Sequence, residues 1–238
     1  MNSRKTLLLG MIMLVCSLLA AIPVNTVITY PMPYPMKATQ DGTIVVGQAG
    51  QASAALMWTE AGGVVDFGAG NLYDISENHL IAGEKLIEYQ GQEVLQAGYF
   101  TTAGVFTAIP NPAGATPTDG FLSTAYAISA DGSALAGMSW RPGWATEAIK
   151  WTSSTGTVSL YNANSARVNS LSQDGGIAGG WITADFGNRV PVYWDQTNTM
   201  HYVTNAEEDG EVMGVSPNGQ YMCGYYWEGG FVKGPNQI

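Results

Sequence analysis

Residues 127–137 read Ala127-Ile-Ser-Ala-Asp131-Gly-Ser-Ala-Leu-Ala-Gly137, and they are followed by Glu147-Ala-Ile-Lys-Trp151-Thr and by Gly156-Thr-Val-Ser-Leu-Tyr161. Degraded copies of this order recur before and after it: an acidic turn, a short apolar run that ends at glycine, and an aromatic residue before a second turn. The chain is therefore a repeat protein, and the repeat decides its fold.

Three columns of the aligned copies carry the repeat. The acidic turn column holds Asp41, Glu77, Asp131, Asp174 and Asn218. A glycine follows each of them six residues later, at Gly47, Gly83, Gly137, Gly180 and Gly224. The aromatic column holds Trp58, Phe100, Trp151, Trp194 and Phe231. Successive copies start 36, 54, 43 and 44 residues apart, and a period of about 40 to 45 residues is the length of a four-stranded propeller blade.

Short apolar runs bounded by glycine indicate strands, and no window after the N-terminal segment shows helical periodicity. We therefore predict an all-β repeat protein, a five-bladed β-propeller, with an open or truncated β-repeat array as the alternative. The last unit is too short for a whole blade. Residues 24–36 begin with a β-prone run and end in alternating prolines, so they can form only an edge strand or a linker. We expect this segment to close the ring by pairing with the C-terminal strands.

The N-terminus has the pattern of a secretory signal peptide. Arg4 and Lys5 precede an uncharged apolar run from Thr6 to Ala21, after which the sequence turns polar and proline-rich. We predict a signal peptide over residues 1–21 and a single β-repeat domain over residues 22–238, which places the protein in the periplasm, at the cell surface or outside the cell. An uncleaved anchor is the alternative, because Leu7 to Val24 is about long enough to span a bilayer.

Charge and cysteine content exclude several classes of protein. The chain has 9 basic and 19 acidic residues, and removal of residues 1–21 takes Arg4 and Lys5, which leaves a net charge of −12. Such a chain repels nucleic acid and anionic membrane surfaces, so a membrane contact is expected only through an uncleaved signal segment. Cys223 would be the single remaining cysteine, so the apolar core must hold the fold without a disulfide.

The acidic column is most simply explained as a set of turn formers, because Asp and Asn cap tight turns with their own side chains. Calcium binding is the alternative, but no Asp-x-Asp-x-Asp-Gly run is present. We predict neither a metal nor a cofactor.

Tryptophans outside the aromatic column are the candidate ligand-binding residues. Trp140, Trp144, Trp181 and Trp227 lie in or beside connections, where exposed aromatic rings suit sugar rings or a protein partner. A proline- and glycine-rich insertion over residues 109–120 is either a tolerated surface loop or a functional one.

No catalytic motif is present, and His79 and His201 are isolated in sequence. The enzyme alternative is a five-bladed glycoside hydrolase that acts on a polysaccharide with a pair of acids at the central cavity. Its candidate carboxylates are Asp66, Asp74, Glu147 and Asp185, but nothing in their spacing selects a pair.

The alternation of Ile-Ser-Ala-Asp-Gly-Ser-Ala-Leu-Ala-Gly with Glu-Ala-Ile-Lys-Trp-Thr and a Gly-x-Val-x-Leu strand resembles the bacterial extracellular HAF-repeat family. The Ser-x-Asp-Gly and Trp-Thr elements match better than the family's His-Ala-Phe triplet, whose His column holds Ala54, Glu147 and Val190 here. The resemblance implies an exported β-repeat protein and carries over no catalytic residue. We therefore expect a non-catalytic protein that serves in binding or cell-surface interaction, with a carbohydrate or another extracellular protein as its partner. A structural or adhesive surface repeat is the alternative.

Overall fold

The computed structural model describes residues 32–50, 53–184, 187–203, 209–226 and 229–234. The chain divides into two compact units, Met1–Tyr30 and Pro31–Ile238, and all the described residues belong to the second. The predicted signal peptide over residues 1–21 therefore lies outside them. Within the described part of the chain, no helix is long and apolar enough to cross a membrane.

Five antiparallel sheets form the second unit. The first contains β1 (Tyr34–Ala38), β2 (Ile44–Gln48), β3 (Ala55–Thr59) and β4 (Gly63–Asp66). The second contains β5 (Gly70–Ile75), β6 (Ile81–Tyr89), β7 (Gln92–Phe100) and β8 (Phe106–Ala108). The third contains β9 (Ser123–Ile128), β10 (Ala134–Arg141), β11 (Ala145–Thr152) and β12 (Gly156–Tyr161). The fourth contains β13 (Ala166–Leu171), β14 (Ala178–Thr183), β15 (Arg189–Trp194) and β16 (Met200–Tyr202). The fifth contains, within the described residues, β17 (Gly210–Val215), β18 (Met222–Tyr226) and β19 (Gly229–Lys233).

The sheets are the blades of a five-bladed β-propeller, as the repeat predicts. Strands follow one another in sequence order within each blade, and a separate apolar cluster fills the space between each blade and the next, from blade 1 to blade 5. The first strands of all five blades line one central cavity. The fold therefore has a central channel surrounded by blades.

Four of the five members of the aromatic column pack between the blades. Trp194 and Phe100 are completely buried, and Trp151 packs against the cluster between blades 2 and 3. Truncation of a buried aromatic of this kind costs about 3 to 5 kcal/mol.

The glycine column is explained by a β-bulge that recurs in the first strand of every blade. The bulged residues, which the pairing register skips, are Met36, Tyr73, Tyr126, Asn169 and Met213. Each column glycine lies on the second strand, opposite the carbonyl oxygen of the residue two positions before the bulge. A Cβ at any of the five glycines would lie less than 3.0 Å from that oxygen, a separation that real Cβ atoms essentially never show. The column therefore marks the place where two backbones approach closely.

The acidic column forms turns between the first and second strands of the blades, with one correction. The Asp131 carboxylate accepts hydrogen bonds from the Ser129 hydroxyl and from the Ser133 amide, and Asp41, Asp174 and Asn218 accept the same pair of hydrogen bonds in their own turns.

The prediction of Glu77 as the blade 2 member of this column is wrong. In blade 2 the Ser76 hydroxyl donates to Asn78 Oδ1 at 2.5 Å, so Asn78 occupies the equivalent position. The blade 2 turn is one residue shorter, because the Ser76 hydroxyl accepts from the amide four residues on, whereas Ser129 accepts from the amide five residues on. His79, at φ +64°, takes the place that glycine holds in the other turns.

The described part of the predicted closing segment does not pair with C-terminal strands. Tyr34 and Pro35 pair with Gln48 and Gly47 of β2, so this part forms the first strand of blade 1. The physical reason is that blade 1, like the others, needs a bulged first strand to line the channel. Residues 24–31 lie outside the described residues. Of the two predicted possibilities for the proline-containing segment, an edge strand and a linker, the edge strand is observed for β1.

Candidate ligand-binding site at one mouth of the channel

The two ends of the channel differ in construction. At one end, here called the turn mouth, the first strands finish and the five turns between first and second strands surround a cavity of about 510 Å³. At the opposite end, here called the aromatic mouth, the first strands begin. A smaller pocket of about 300 Å³ opens there between blades 2 and 3.

Backbone hydrogen bonds tie the turn mouth together. The Glu77 amide donates to the Ala130 carbonyl, the Ala130 amide to the Gln173 carbonyl, and the Gln173 amide to the Pro217 carbonyl, all at 2.8 to 2.9 Å. Pro217 has no N–H and so cannot donate the equivalent hydrogen bond to a further turn. These contacts join equivalent residues of blades 2 to 5, so the turn mouth is built from groups that hold the ring together.

Ionic contacts at the turn mouth also join blades. Asp74 Oδ1 lies 3.8 Å from Lys37 Nζ of blade 1, and Asp74 Oδ2 accepts a hydrogen bond from the Ile128 amide of blade 3. Burial raises the pKa of Asp74, and the Lys37 charge offsets part of that increase. Asp74 therefore acts as a bridge between three blades.

The pocket at the aromatic mouth, here called the aromatic pocket, is walled by five aromatic side chains. They are Tyr73, Phe121, Tyr126, Trp140 and Trp144. Neighbouring rings touch one another: Tyr73 and Tyr126 have centroids 4.7 Å apart, Phe121 and Trp140 6.1 Å, and Trp140 and Trp144 6.2 Å in an edge-on arrangement. Such ring contacts stabilise the arrangement of the aromatic side chains around the pocket.

Trp144 is the most exposed of these rings. It ends a short 3₁₀ turn over Pro142–Trp144 in the connection between β10 and β11. Its side chain is 63% exposed, and its backbone has φ +66°, a left-handed conformation that a bulky residue rarely adopts. Strain of this kind clusters at functional sites, and the strained residue is also largely open to solvent.

The insertion over residues 109–120 contributes to the same pocket. Asp119 lines it, and Phe121 follows directly after the insertion. The Thr116 amide donates to the Trp140 carbonyl at 2.9 Å, and the Leu122 amide donates to the Leu95 carbonyl. Of the two interpretations of this loop, the structure favours the functional one, because the loop is hydrogen-bonded to blades 2 and 3 and Asp119 forms part of the pocket wall.

Glu84 provides the buried carboxyl group of the aromatic pocket. Its side chain is 1% exposed. Asn71 Nδ2 donates to Glu84 Oε1 at 2.6 Å, the Tyr73 hydroxyl donates to the same oxygen, and the Thr124 hydroxyl binds Oε2. Burial raises the pKa of Glu84, and the three hydrogen bonds offset only part of that effect. Glu84 therefore holds its proton more tightly than an ordinary glutamate does.

A charged cluster continues around the aromatic mouth from the pocket to blade 5. Glu211 accepts from Arg167 Nη2 at 2.8 Å and from Asn169 Nδ2 on Oε2, and from Arg189 and the Tyr225 hydroxyl on Oε1. Burial acts to raise the pKa of Glu211, but the Arg167 charge and the hydrogen bonds outweigh burial, and the pKa lies below its usual value. Four donors leave this carboxylate fully occupied.

The two arginines of the cluster also stack on aromatic rings. The Arg167 guanidinium carbon lies 5.0 Å from the centroid of Tyr126 and 5.6 Å from that of Trp181, and Arg189 lies 4.3 Å from Trp181. These are cation–π distances.

The four predicted tryptophans fall in three different places. Trp140 and Trp144 come together in the aromatic pocket. Trp181 lies farther around the same mouth, 5% exposed and covered by Arg167 and Arg189. Trp227 lies outside the described residues.

Sequence reasoning did not single out Glu84, Asp119, Phe121, Tyr73 or Tyr126. One signal for Glu84 was available, because it directly follows a column glycine, where the other blades hold Gln48, Met138, Trp181 and Tyr225. A charge at that place in an apolar strand is unusual.

The three described carboxylates considered for hydrolysis, Asp66, Asp74 and Glu147, lie on different strands. Asp66 ends the outer strand of blade 1, Asp74 bridges blades at the turn mouth, and Glu147 is buried on the third strand of blade 3. Asp185 lies outside the described residues. His79 forms part of a turn, and His201 pairs with Asp195 at 2.9 Å on the outer hairpin of blade 4.

Within the described ranges, no group of three or more His, Cys, Asp or Glu side chains is arranged to hold a metal ion. The turn carboxylates accept hydrogen bonds from their own turns, which lower the pKa of Asp41 to about 2 through Thr39 and Thr43. Their observed role is that of turn formers.

Comparison with solved structures identifies the fold. A protein from Agrobacterium tumefaciens assigned as TolB has 15% sequence identity and a TM-score of 0.59, and the match covers 82% of this chain and 69% of that one. TolB from Acinetobacter baumannii has 15% identity and a TM-score of 0.56, with 84% of this chain covered and 55% of that one. A prolyl endopeptidase structure has 10% identity and a TM-score of 0.55, with 85% of this chain and 34% of that one covered.

This chain therefore spans about half of the Acinetobacter baumannii TolB chain (55%) and about a third of the endopeptidase chain (34%). At these identities the likeness shows a shared propeller fold and nothing finer. No protein-family model matches the chain, and no curated protein matches its sequence. The resemblance to the HAF-repeat family stays a prediction.

Proposed function

We propose that this protein is an exported, non-catalytic binding propeller of the cell envelope, and that its ligand, a protein or a carbohydrate, docks on the aromatic mouth. The observation that carries the proposal is Trp144, a largely exposed indole held in a strained conformation beside Trp140 and above a pocket that ends at Glu84. Exposed aromatic surface around a concave site is where binding energy concentrates.

Export is supported by the signal-peptide pattern of residues 1–21, with Arg4 and Lys5 before an apolar run. The likeness to two TolB structures supports an envelope role at the level of the fold.

Binding is favoured over hydrolysis by the state of the two carboxyl groups at the aromatic mouth. Glu84 and Glu211 have pKa values shifted in opposite directions, which is a pattern that acid and base pairs show. However, Glu211 is held by two arginines, an asparagine and a tyrosine, so it has no free oxygen with which to attack a sugar or activate water. A glycoside hydrolase needs such an oxygen.

The proposal is tested by thermal unfolding of the full chain with a panel of soluble polysaccharides and of peptides of varied charge. A ligand that binds only the folded state must raise the melting temperature, by the equivalent of about 2.7 kcal/mol at a concentration 100 times its Kd. We expect at least one probe to give a shift that Trp144→Ala removes.

The matched control is Tyr202→Ala, which deletes a comparably exposed aromatic on the outer strand of blade 4. A shift that survives Trp144→Ala, or that Tyr202→Ala removes equally, would overturn the proposal.

A further inference from the structure

The aromatic pocket has a chemical bias beyond its aromatic walls. Two of the ten described residues that line it are acids, Glu84 at its base and Asp119 in the insertion, and none of the ten is a lysine or an arginine. Five of the ten are aromatic. A concave site with many aromatic faces, two carboxyl groups and no basic residue attracts positive charge.

The rings at this mouth already stack against cations. Arg167 lies over Tyr126, a wall of the pocket, at 5.0 Å, and both arginines lie over Trp181. These guanidinium groups form ion pairs with Glu211 and so join blade 4 to blade 5. The rings of Tyr73, Trp140 and Trp144 line the pocket itself.

Glu84, when ionised, has one acceptor position that no described neighbour fills. An ionised carboxylate offers about four acceptor positions, and the described neighbours Asn71, Tyr73 and Thr124 occupy three of them. A cation near Glu84 would stabilise its ionised form, since an opposite charge within about 4 to 6 Å favours ionisation. The fourth position therefore suits an ammonium or guanidinium group.

We infer that the aromatic pocket binds the basic side chain, lysine or arginine, of a protein partner. This rests on the proposed function and names the chemistry of its ligand. The pocket volume of about 300 Å³ is at the lower limit of small-molecule sites and suits one long side chain. The exposed Trp144 ring beside it gives a flat surface for the partner's neighbouring residues. The net charge of −10 steers basic proteins toward this chain.

The test compares two probes that differ only in charge: Nα-acetyl-lysine amide and Nα-acetyl-norleucine amide. Both are titrated into the full chain, and tryptophan fluorescence is followed. We expect the lysine derivative to give a saturable change and the norleucine derivative to give none in the same concentration range.

Three variants locate the response. Trp144→Ala should weaken binding of the lysine derivative roughly 2- to 30-fold, the range that one cation–π contact supplies. Glu84→Gln should weaken it roughly tenfold or more, because a charge-assisted hydrogen bond is lost. Asp119→Asn tests the rim of the pocket and replaces Glu84→Gln if that buried substitution fails to fold. Glu60→Gln, which neutralises an exposed acid in the turn between β3 and β4, should change nothing.

The outcomes separate this inference from the proposed function. If the norleucine derivative binds as well as the lysine derivative, or if Asp119→Asn and Glu84→Gln leave binding intact, the inference is overturned. If neutral oligosaccharides bind in a Trp144-dependent way and the lysine derivative does not, the inference is overturned and the proposed function stands. If no polysaccharide, peptide or lysine derivative responds to Trp144→Ala, both are overturned.

Discussion

The turn mouth and the aromatic mouth lie at opposite ends of one channel, yet they follow opposite rules. At the turn mouth each blade repeats one device, a hydroxyl two residues before an Asp or Asn that closes the turn. At the aromatic mouth, the position after the column glycine differs in every blade and holds Gln48, Glu84, Met138, Trp181 and Tyr225.

The comparison shows which residues the fold needs and which it does not. A residue that appears in every blade solves a problem that every blade has, such as closing a turn or letting two backbones approach. A residue that appears in one blade has a local role, and two of the five residues at this position, Glu84 and Met138, line the aromatic pocket. We therefore assign the residues of the repeated columns to the stability of the fold. We propose that the binding site is formed by residues that differ between the blades.

The largest effect is expected at the glycine column. In Gly180→Ala the new Cβ would meet the Arg167 carbonyl oxygen, which belongs to rigid backbone. We expect a loss of about 3 kcal/mol or more in the free energy of unfolding, measured by urea denaturation. Gly230→Ala is the control, because the nearest atom there is at an ordinary 3.5 Å, and it should change stability by less than about 1 kcal/mol. Equal losses in the two variants would contradict the explanation that the column requires glycine because two backbones approach closely there.

A pH-dependent effect is expected at Glu84. Burial raises the pKa of the folded state above the usual 4.5, so above that pH the unfolded chain loses its proton first. Stability then falls as pH rises, by up to about 1.4 kcal/mol per pH unit, until the folded pKa is passed. Glu84→Gln cannot ionise, so the stability of this variant relative to wild type should increase between pH 4 and pH 8.

The turn mouth should show the opposite sign. Hydrogen bonds from Ser133 and Ser129 lower the pKa of Asp131, so its contribution is complete above the unfolded pKa and is lost as pH falls below about 4. Denaturation curves of Asp131→Asn and Glu84→Gln across pH would measure both. If the stability of Glu84→Gln relative to wild type stays constant or falls as pH rises, the buried-acid description is contradicted.

A smaller effect separates two adjacent residues of the blade 2 turn. Asn78→Ala removes the hydrogen bonds to Ser76 and to the Asp131 carbonyl and should cost about 1 to 2 kcal/mol. Glu77→Ala removes an exposed side chain and should stay within about 0.5 kcal/mol of wild type. If Glu77→Ala proved the more damaging substitution in thermal or chemical unfolding, the alignment drawn from the sequence would be right and the geometric correction wrong.

The smallest effect on stability is expected at Trp144. Its φ of +66° costs an ordinary residue about 1 kcal/mol relative to glycine, and its side chain is mostly exposed. Trp144→Gly should therefore leave stability unchanged or raise it by up to about 1 kcal/mol, while binding of the lysine derivative weakens. A clear destabilisation in calorimetry would mean that Trp144 stabilises the fold, and it would contradict the proposal that its indole ring is exposed for ligand binding.

Much of this fold could be predicted from the sequence because the propeller is periodic. The glycine column, the aromatic column and four of the five turn residues were visible as repeats, and they proved to be the bulge contacts, the inter-blade core and the turns. The Glu77 error arose because the blade 2 turn is one residue shorter, which shifts the acidic residue by one position while a glutamate still lies six residues before Gly83. Attention to the Ser-x-Asx spacing, Ser76 to Asn78, would have corrected it.

The candidate site was only partly predictable, for a related reason. Trp140 and Trp144 stood out because they interrupt the repeat, but their partners come from blade 2 and from the insertion, at distances in sequence that no local pattern encodes. Glu84 lies 60 residues before Trp144, and only the packing of blade 2 on blade 3 brings the two to one pocket.

The central claim is that ligand binds at the aromatic mouth, and the indole signals of the seven tryptophans test it most directly. A ¹⁵N-labelled full chain is titrated with the lysine derivative and with each probe that raises the melting temperature, and the indole N–H resonances are assigned by substitution. We predict that the signals of Trp140 and Trp144 shift together and saturate, while those of the buried Trp194 and of Trp58 and Trp151 stay in place. Binding that leaves the Trp140 and Trp144 signals unmoved would contradict the account.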